Sequence, residues 1–339
     1  MKKLILTISA LALLTLSCKD IHVKTVLNTD GSLIRSYEIS QSSSNNPEKD
    51  SAENEIPILP HDITWDKITT IDSANDKQIL TYSKTFMNAG ELQKTYKTHQ
   101  YTLKPTQPVI SYQSHYNGIK STYTFKEAFK GIFPCKNPHE VFTPEEIASI
   151  KENNYQENKD LENKFDLWVA YGYIALVKQT IDSLSNENLN LDVWETEIKL
   201  TINEIIVDKH KDASTIEQKN KDIPDFTNLE YLTKTIEESI GKKIDESTQQ
   251  KLEIILEEHL EAYSALLINN LVFSIQFNGE LIKTNADSIS GNTAYWKASS
   301  LMTGNELIME LEAGTMNYNI FIVIIIAIIL IMLRRKWKK

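Results

Sequence analysis

The chain has 339 residues, enough for one large domain or two ordinary ones. Its 41% hydrophobic and 24% charged content suits a buried core, and 10 glycines, 9 prolines and 2 cysteines exclude collagen-like arrays, disulfide scaffolds and Cys-rich zinc modules. A formal net charge of −10 argues against a nucleic-acid partner.

At the N-terminus, Met1-Lys2-Lys3 precedes an apolar run from Leu4 to Leu16 and then Ser17-Cys18. A charged start, a short apolar stretch and a small residue before the break make residues 1–17 a secretory signal. The run is too short to span a bilayer comfortably. The tetrad Thr15-Leu16-Ser17-Cys18 resembles a lipoprotein signal of the looser kind found in Bacteroidota, with Leu14 one place earlier than the usual lipobox has it. That resemblance implies that Cys18 is the lipid attachment site, becoming the first mature residue and carrying acyl chains such as palmitate.

Residues 18–130 read as a β-rich first part of an exported domain. His22–Leu27 and Leu33–Ile39 flank an Asp30-Gly31 turn, and Ile63–Ile71 and Gln78–Phe86 flank Ser73–Asp76. A short helix is predicted near Asn88–Tyr96. Val109–Tyr116 and Ile119–Phe125 flank Asn117-Gly118, a pair favoured in type I′ turns. The polar stretch 40–57 reads as a loop.

Over 143–268 the hydrophobic period changes to that of helices. Thr143-Pro144-Glu145-Glu146 has the pattern of a helix start. Helices are predicted over Leu161–Leu184, Leu191–Val207, Leu229–Ile240 and Ile244–Leu267, with a break at Gly241. Strands return over 271–300, at Leu271–Phe277 and Asn292–Ala298. The expected fold class is therefore α+β: an antiparallel sheet of hairpins, closed by the last strands, with a large helical insertion. Two sequential domains are the alternative.

The run Ile320–Leu333 contains fourteen unbroken apolar residues and is followed by the basic tail 334–339. With Met316–Asn319 it rises about 27 Å as a helix, close to a hydrocarbon core of about 30 Å. A transmembrane helix over 316–333 is predicted, with the basic tail in the cytoplasm. A helical span is not expected to continue to a bacterial outer membrane, where spanning proteins are barrels. The expected location is the cytoplasmic (inner) membrane, with the main domain on its extracytoplasmic side. Without Lys2, Lys3 and the five basic residues of the tail, the charge of the exported body is −17.

Residues 23–37, with their Asp30-Gly31-Ser32 turn, and the stretch Gly279, Thr284-Asn285, Gly291-Asn292 and Trp296 resemble the LppM-type bacterial lipoproteins. The likeness covers about 35 residues plus the two anchors. The helical block and the acidic body depart from the pattern. The resemblance implies a non-catalytic envelope protein that binds a glycolipid or another envelope component.

Chemistry-bearing motifs are scarce. None of the seven histidines forms a His-x-x-x-His pair, and there is no nucleophile elbow, P-loop or dinucleotide fingerprint. No cofactor or metal is expected. Trp65, Trp168, Tyr171 and Trp194 are candidates to line a groove for an acyl chain or sugar, although aromatic residues at such spacings also serve as core. Cys135 reads as a free or buried thiol. The expected function is non-enzymatic binding of a lipid, glycolipid or envelope partner by a doubly anchored domain. An interaction subunit of an inner-membrane complex, or an envelope hydrolase, are the alternatives.

Overall fold

The computed structural model describes residues 19–42, 59–60, 64–72, 77–98, 104–152, 154–185, 189–208, 226, 228–298, 300–316, 325–331 and 334. The signal at 1–17 and Cys18 lie outside them.

Three hairpins open the domain. In the first, β1 (Lys19–Leu27) pairs with β2 (Leu33–Ser42). Inward residues Ile21, Val23, Thr25 and Leu27 are buried, while alternate residues face out, as a period of two requires. The turn closes with Asn28 N–H donating to the Ser32 carbonyl at 2.9 Å, and Asp30 accepts from the Ser32 amide and hydroxyl. Gly31 sits at φ +89°, where a Cβ is strained. β3 (Asp66–Asp72) and β4 (Lys77–Phe86) form the second hairpin, followed by α1 (Ala89–Thr98).

The third hairpin joins β5 (Val109–Tyr116) to β6 (Lys120–Phe129). Its turn is shifted by one residue from the expected Asn117-Gly118 pair. Asn117 N–H donates to the Lys120 carbonyl at 3.1 Å, and the Asn117 side chain accepts from the Lys120 amide at 2.8 Å. Gly118, at φ +87°, and Ile119 therefore occupy the centre. Asn117 contributes more by satisfying a strand-end amide than by entering the turn.

The helical block follows: α2 (Pro138–Val141), α3 (Pro144–Lys151), α4 (Lys159–Leu184), α5 (Asp192–Asp208), α6 (Leu229–Ile240) and α7 (Glu246–Ile268). Thr143 and Glu146 close the expected reciprocal cap on α3. Two starts differ from the periodicity because side chains select them. Asn158 accepts from the amides of Asp160 and Leu161, so α4 begins at Lys159 rather than Leu161. Asp245 accepts from Thr248, so α7 begins at Glu246 rather than Ile244.

The remaining strands are β7 (Asn269–Phe277), β8 (Glu280–Thr284), β9 (Ser288–Ser290), β10 (Thr293–Ala298) and β11 (Leu307–Met316). Two corrections arise here. The strands form two sheets rather than one, in the orders β3-β4-β2-β1-β7-β10-β9 and β5-β6-β11-β8. The pairing is also not wholly antiparallel, since β1 and β7 run parallel from Lys19↔Asn269 to Leu27↔Phe277. A hairpin reverses the chain, but the helical crossover brings it back to the starting end of β1, which dictates a parallel pair.

Strand content runs past residue 300, because β11 lies between β6 and β8. Its ladder captures Met316, which the hydropathy pattern had assigned to the membrane helix. Among the described residues no helix is long and apolar enough to cross a membrane. Residues 325–331 are helical and exposed, and the rest of the predicted span 317–333 lies outside the described residues.

The sheets pack face to face and share one apolar core with the helices. Phe277 meets Tyr123 at 5.0 Å between ring centroids, and Phe273 meets Phe129 at 5.3 Å. Inside this core, Arg35 of β2 donates to Glu127 of β6 at 2.6 Å, with both side chains 0% exposed. The Tyr37 and Tyr96 side chains are buried with the pair, and Trp65 stacks on Tyr37 at 4.9 Å. Burial pushes the Tyr96 hydroxyl up to about 12.

The segment after β6 threads between α4 and the chain before β11. Phe133 N–H donates to the Thr303 carbonyl at 2.6 Å, and a methyl group at Gly172 or Gly304 would overlap the Cys135 sulfur.

Two stability predictions follow from this packing. Glu127→Ala leaves Arg35 buried and unpaired and is expected to cost about 3–5 kcal/mol in urea unfolding; replacing both partners with apolar residues of similar volume returns most of that loss. Gly172→Ala is expected to cost about 1–3 kcal/mol. Adding Cys135→Ala to it should recover much of the melting temperature, because the overlapping sulfur is then gone.

Candidate functional site

The outer face of the seven-stranded sheet is built by the outward residues of β1, β2, β4, β7 and β10. Register places Ser83, Ser36, Lys24, Ser274 and Tyr295 in one row and Thr81, Glu38, His22, Val272 and Lys297 in the next. At its centre, His22 Nε2 lies 2.7 Å from Ser274 Oγ and Nδ1 lies 3.8 Å from Glu38 Oε2. The Tyr295 ring stacks beside His22 at 6.3 Å. Burial holds the imidazole below its ordinary pKa, opposed by the Glu38 charge.

The order Ser–His–Glu is that of a nucleophile relay, but the pieces do not make one. A separation of 3.8 Å exceeds a hydrogen bond. Ser274 is 1% exposed, within a strand paired on both sides. Ladder pairing engages the backbone N–H groups of such a strand, so they are not free to serve as an oxyanion hole. What the cluster offers is a fixed array of hydroxyl, imidazole and carboxylate groups facing outward.

A second feature is a groove of about 450 Å³ at one end of the sandwich, a volume within the range of small-molecule sites. Its walls come from the β1–β2 turn (Asp30, Gly31), the start of α1 (Met87, Asn88) and β5 (Ile110, Tyr112). The Tyr112 hydroxyl donates to the Asn28 carbonyl at 3.3 Å, which holds the turn against β5. Burial pushes that hydroxyl up to about 12. Asn88 accepts from the Glu91 amide, and Glu91 accepts in turn from Met87 N–H, so the helix start forming the opposite wall is held at both positions. Met87 is 74% exposed beside these polar groups, so the groove presents both apolar and polar side chains.

The four aromatics expected to line one groove occupy separate places. Trp65 belongs to the sheet core, stacked on Tyr37 and edge-on to Phe86. Trp168 is edge-on to Phe142 and donates its indole N–H to the Lys136 carbonyl at 2.8 Å. Tyr171 lies under the Lys199 ammonium at 5.4 Å. Trp194, 1% exposed, donates to Thr235 Oγ1 at 3.1 Å and joins α5 to α6. Each indole or ring is taken up by packing within the protein. Cys135 is half-buried, and desolvation pushes its thiol up to about 12, far from a reactive thiolate. Among the described residues no group of three or more His, Cys, Asp or Glu is placed to hold a metal.

The Asp30-Gly31 turn was visible in the sequence, but Met87 and Tyr112 are brought to it by pairing that no local pattern encodes. His22 and Ser274, 252 residues apart, likewise carry no linear signal.

No family model matches the chain, and no curated protein matches it. Among solved structures, the folded domain of LppM from Mycobacterium tuberculosis, determined by NMR, is similar with a TM-score of 0.28 and 8% identity, over 89% of this chain and 92% of that one.

His22 and His259 are both held below the ordinary imidazole pKa chiefly by burial. The unfolded chain then binds more protons than the folded one at pH values just below about 6.5. Stability is expected to fall as pH drops through that value toward the lower folded-state pKa values. Urea midpoints at pH 7.5 and 5.5 check this, and His22→Asn should shrink the difference.

Proposed function

We propose that the chain is a non-enzymatic lipoprotein of the bacterial cell envelope, held at the outer face of the cytoplasmic membrane by acyl chains on Cys18 and by one helix over about 320–333. The single observation carrying this reading is the pair of ends. A leader ending at Ser17-Cys18 and an apolar run followed by Arg334-Arg335-Lys336 enclose a body of charge −17. The positive tail belongs in the cytoplasm, and a single span then leaves the body on the other side. Within the body, the groove between the β1–β2 turn, α1 and β5 is the ligand site. Its apolar Met87 suits an acyl chain, and its polar Asp30 and Asn88 suit the hydroxyls of a glycolipid headgroup.

A second reading, an interaction subunit of an inner-membrane complex, has one observation in its favour. Val193 and Leu200 lie seven residues apart on α5 and are 57% and 60% exposed. That spacing puts them on one side of the helix.

Labelled palmitate is expected to enter the wild-type chain and not Cys18→Ser, while both remain in the membrane after carbonate washing because the helix persists. Protease added to intact spheroplasts should digest the body and spare an epitope placed after Lys339. Native mass spectrometry of the detergent-extracted full chain should then show one retained lipid beyond the anchor. Met87→Glu should lower its occupancy several-fold. An empty wild-type body would transfer the assignment to the α5 face and a protein partner.

A further inference from the structure

The two proposed anchors leave the folded body at opposite ends. β1 begins at Lys19, directly after Cys18, and pairs with the first residue of β7. Its other end, Leu27, pairs with Phe277. The chain turns at once from Phe277 into β8, where Glu280 pairs with Gly314 of β11, so Met316 stands at the Leu27 end. The eight steps of β1 separate the two ends by about 26 Å. A body standing upright on Met316 would therefore hold Cys18 far above the headgroups.

We infer that the sandwich lies on its side, strands along the membrane, with the outer face of the seven-stranded sheet against the lipid headgroups. This rests on the double anchoring proposed above. The tether lengths select the face. Lys19 belongs to the seven-stranded sheet and follows Cys18 with no intervening residue. Met316 belongs to the four-stranded sheet, and residues 317–319 separate it from Ile320. Packed sheets lie about 10 Å apart, and four Cα steps reach about 14 Å, so the C-terminal tether can cross the thickness of the sandwich. With the other sheet downward, the missing N-terminal tether would have to cross it instead.

The chemistry of the face agrees. In a body of charge −17, the charges of this face are less one-sided: Lys24, Lys77 and Lys297 stand against Asp20, Glu38, Asp66 and, by register, Asp72. Between them lie hydroxyls such as Ser36, Thr81, Ser83 and Tyr295, which suit phosphodiester and sugar headgroups. A strongly acidic face would be repelled by anionic lipid within a Debye length of about 8 Å, and here the lysines offset most of the carboxylate charge, Lys77 pairing with Asp20 at 3.3 Å.

The test uses the full acylated chain in nanodiscs of phosphatidylethanolamine and phosphatidylglycerol, with a single environment-sensitive fluorophore and headgroup-level nitroxide lipids. Ser36→Cys, Thr85→Cys and Ser288→Cys place the label on the proposed face; Gln113→Cys, Lys126→Cys and Glu310→Cys place it on the opposite one. Each label is introduced in a Cys135→Ala background, because Cys135 is half-exposed. Quenching is expected to be at least threefold stronger on the first set. Equal quenching, or the reverse, overturns the orientation. Carbonate extraction and palmitate labelling of the same variants separate the two ideas. A chain anchored at both ends with equal quenching refutes only the orientation, whereas a chain lacking either anchor refutes the double anchoring and the orientation with it. Headgroup-independent quenching that vanishes when a soluble glycan is added would identify a glycan as the occupant and overturn the proposal.

Discussion

One ion pair ties the two sheets together. Arg35 and Glu127 lie 92 residues apart, on strands of different sheets, and both are removed from water. Desolvating two charges is costly, and their attraction offsets that cost only when the geometry is held. The Tyr37, Tyr96 and Trp65 side chains crowd the same interior. A strand such as β2 slipping its pairing by one residue would swap its buried and exposed faces and leave Glu127 alone in the core. The pair therefore acts as a register lock, more than as a source of net stability.

Once that register is held, the ends of the sandwich follow. The β1–β2 turn, the start of α1 and β5 meet around the groove, and the Tyr112 hydroxyl bridges the turn to β5. The same register carries His22 beside Ser274 and lays a row of hydroxyls across the outer face. Site and surface are both consequences of how the strands pair. The helices have a different role. They return the chain to the beginning of β1, and this return makes β7 parallel to it.

The aromatic residues show how far local pattern reaches. Trp168 and Tyr171 lie on a helix, as their spacing predicts, but the same spacing serves core packing and ligand lining alike. Their actual partners, Phe142 and Lys199, belong to other segments of the chain. The strands β8, β9 and β11 illustrate another limit. β11 is rich in Glu, Gly, Ala and Met, and it becomes a strand because β6 and β8 flank it with free ladder positions.

Local chemistry alone determined the hairpin turns, the capped helix starts, the strand–helix–strand order and the apolar ends, because each depends on residues within a few positions of one another. Asp30-Gly31, Thr143 with Glu146, and the alternation in β1 are all of this kind. Tertiary structure decided the division into two sheets, the parallel β1–β7 pair, the membership of Met316 in β11, the buried Arg35–Glu127 bond and the groove. Each of those depends on segments tens to hundreds of residues apart. Their meeting is selected by shared burial of the whole core, a quantity that no local window of the chain contains.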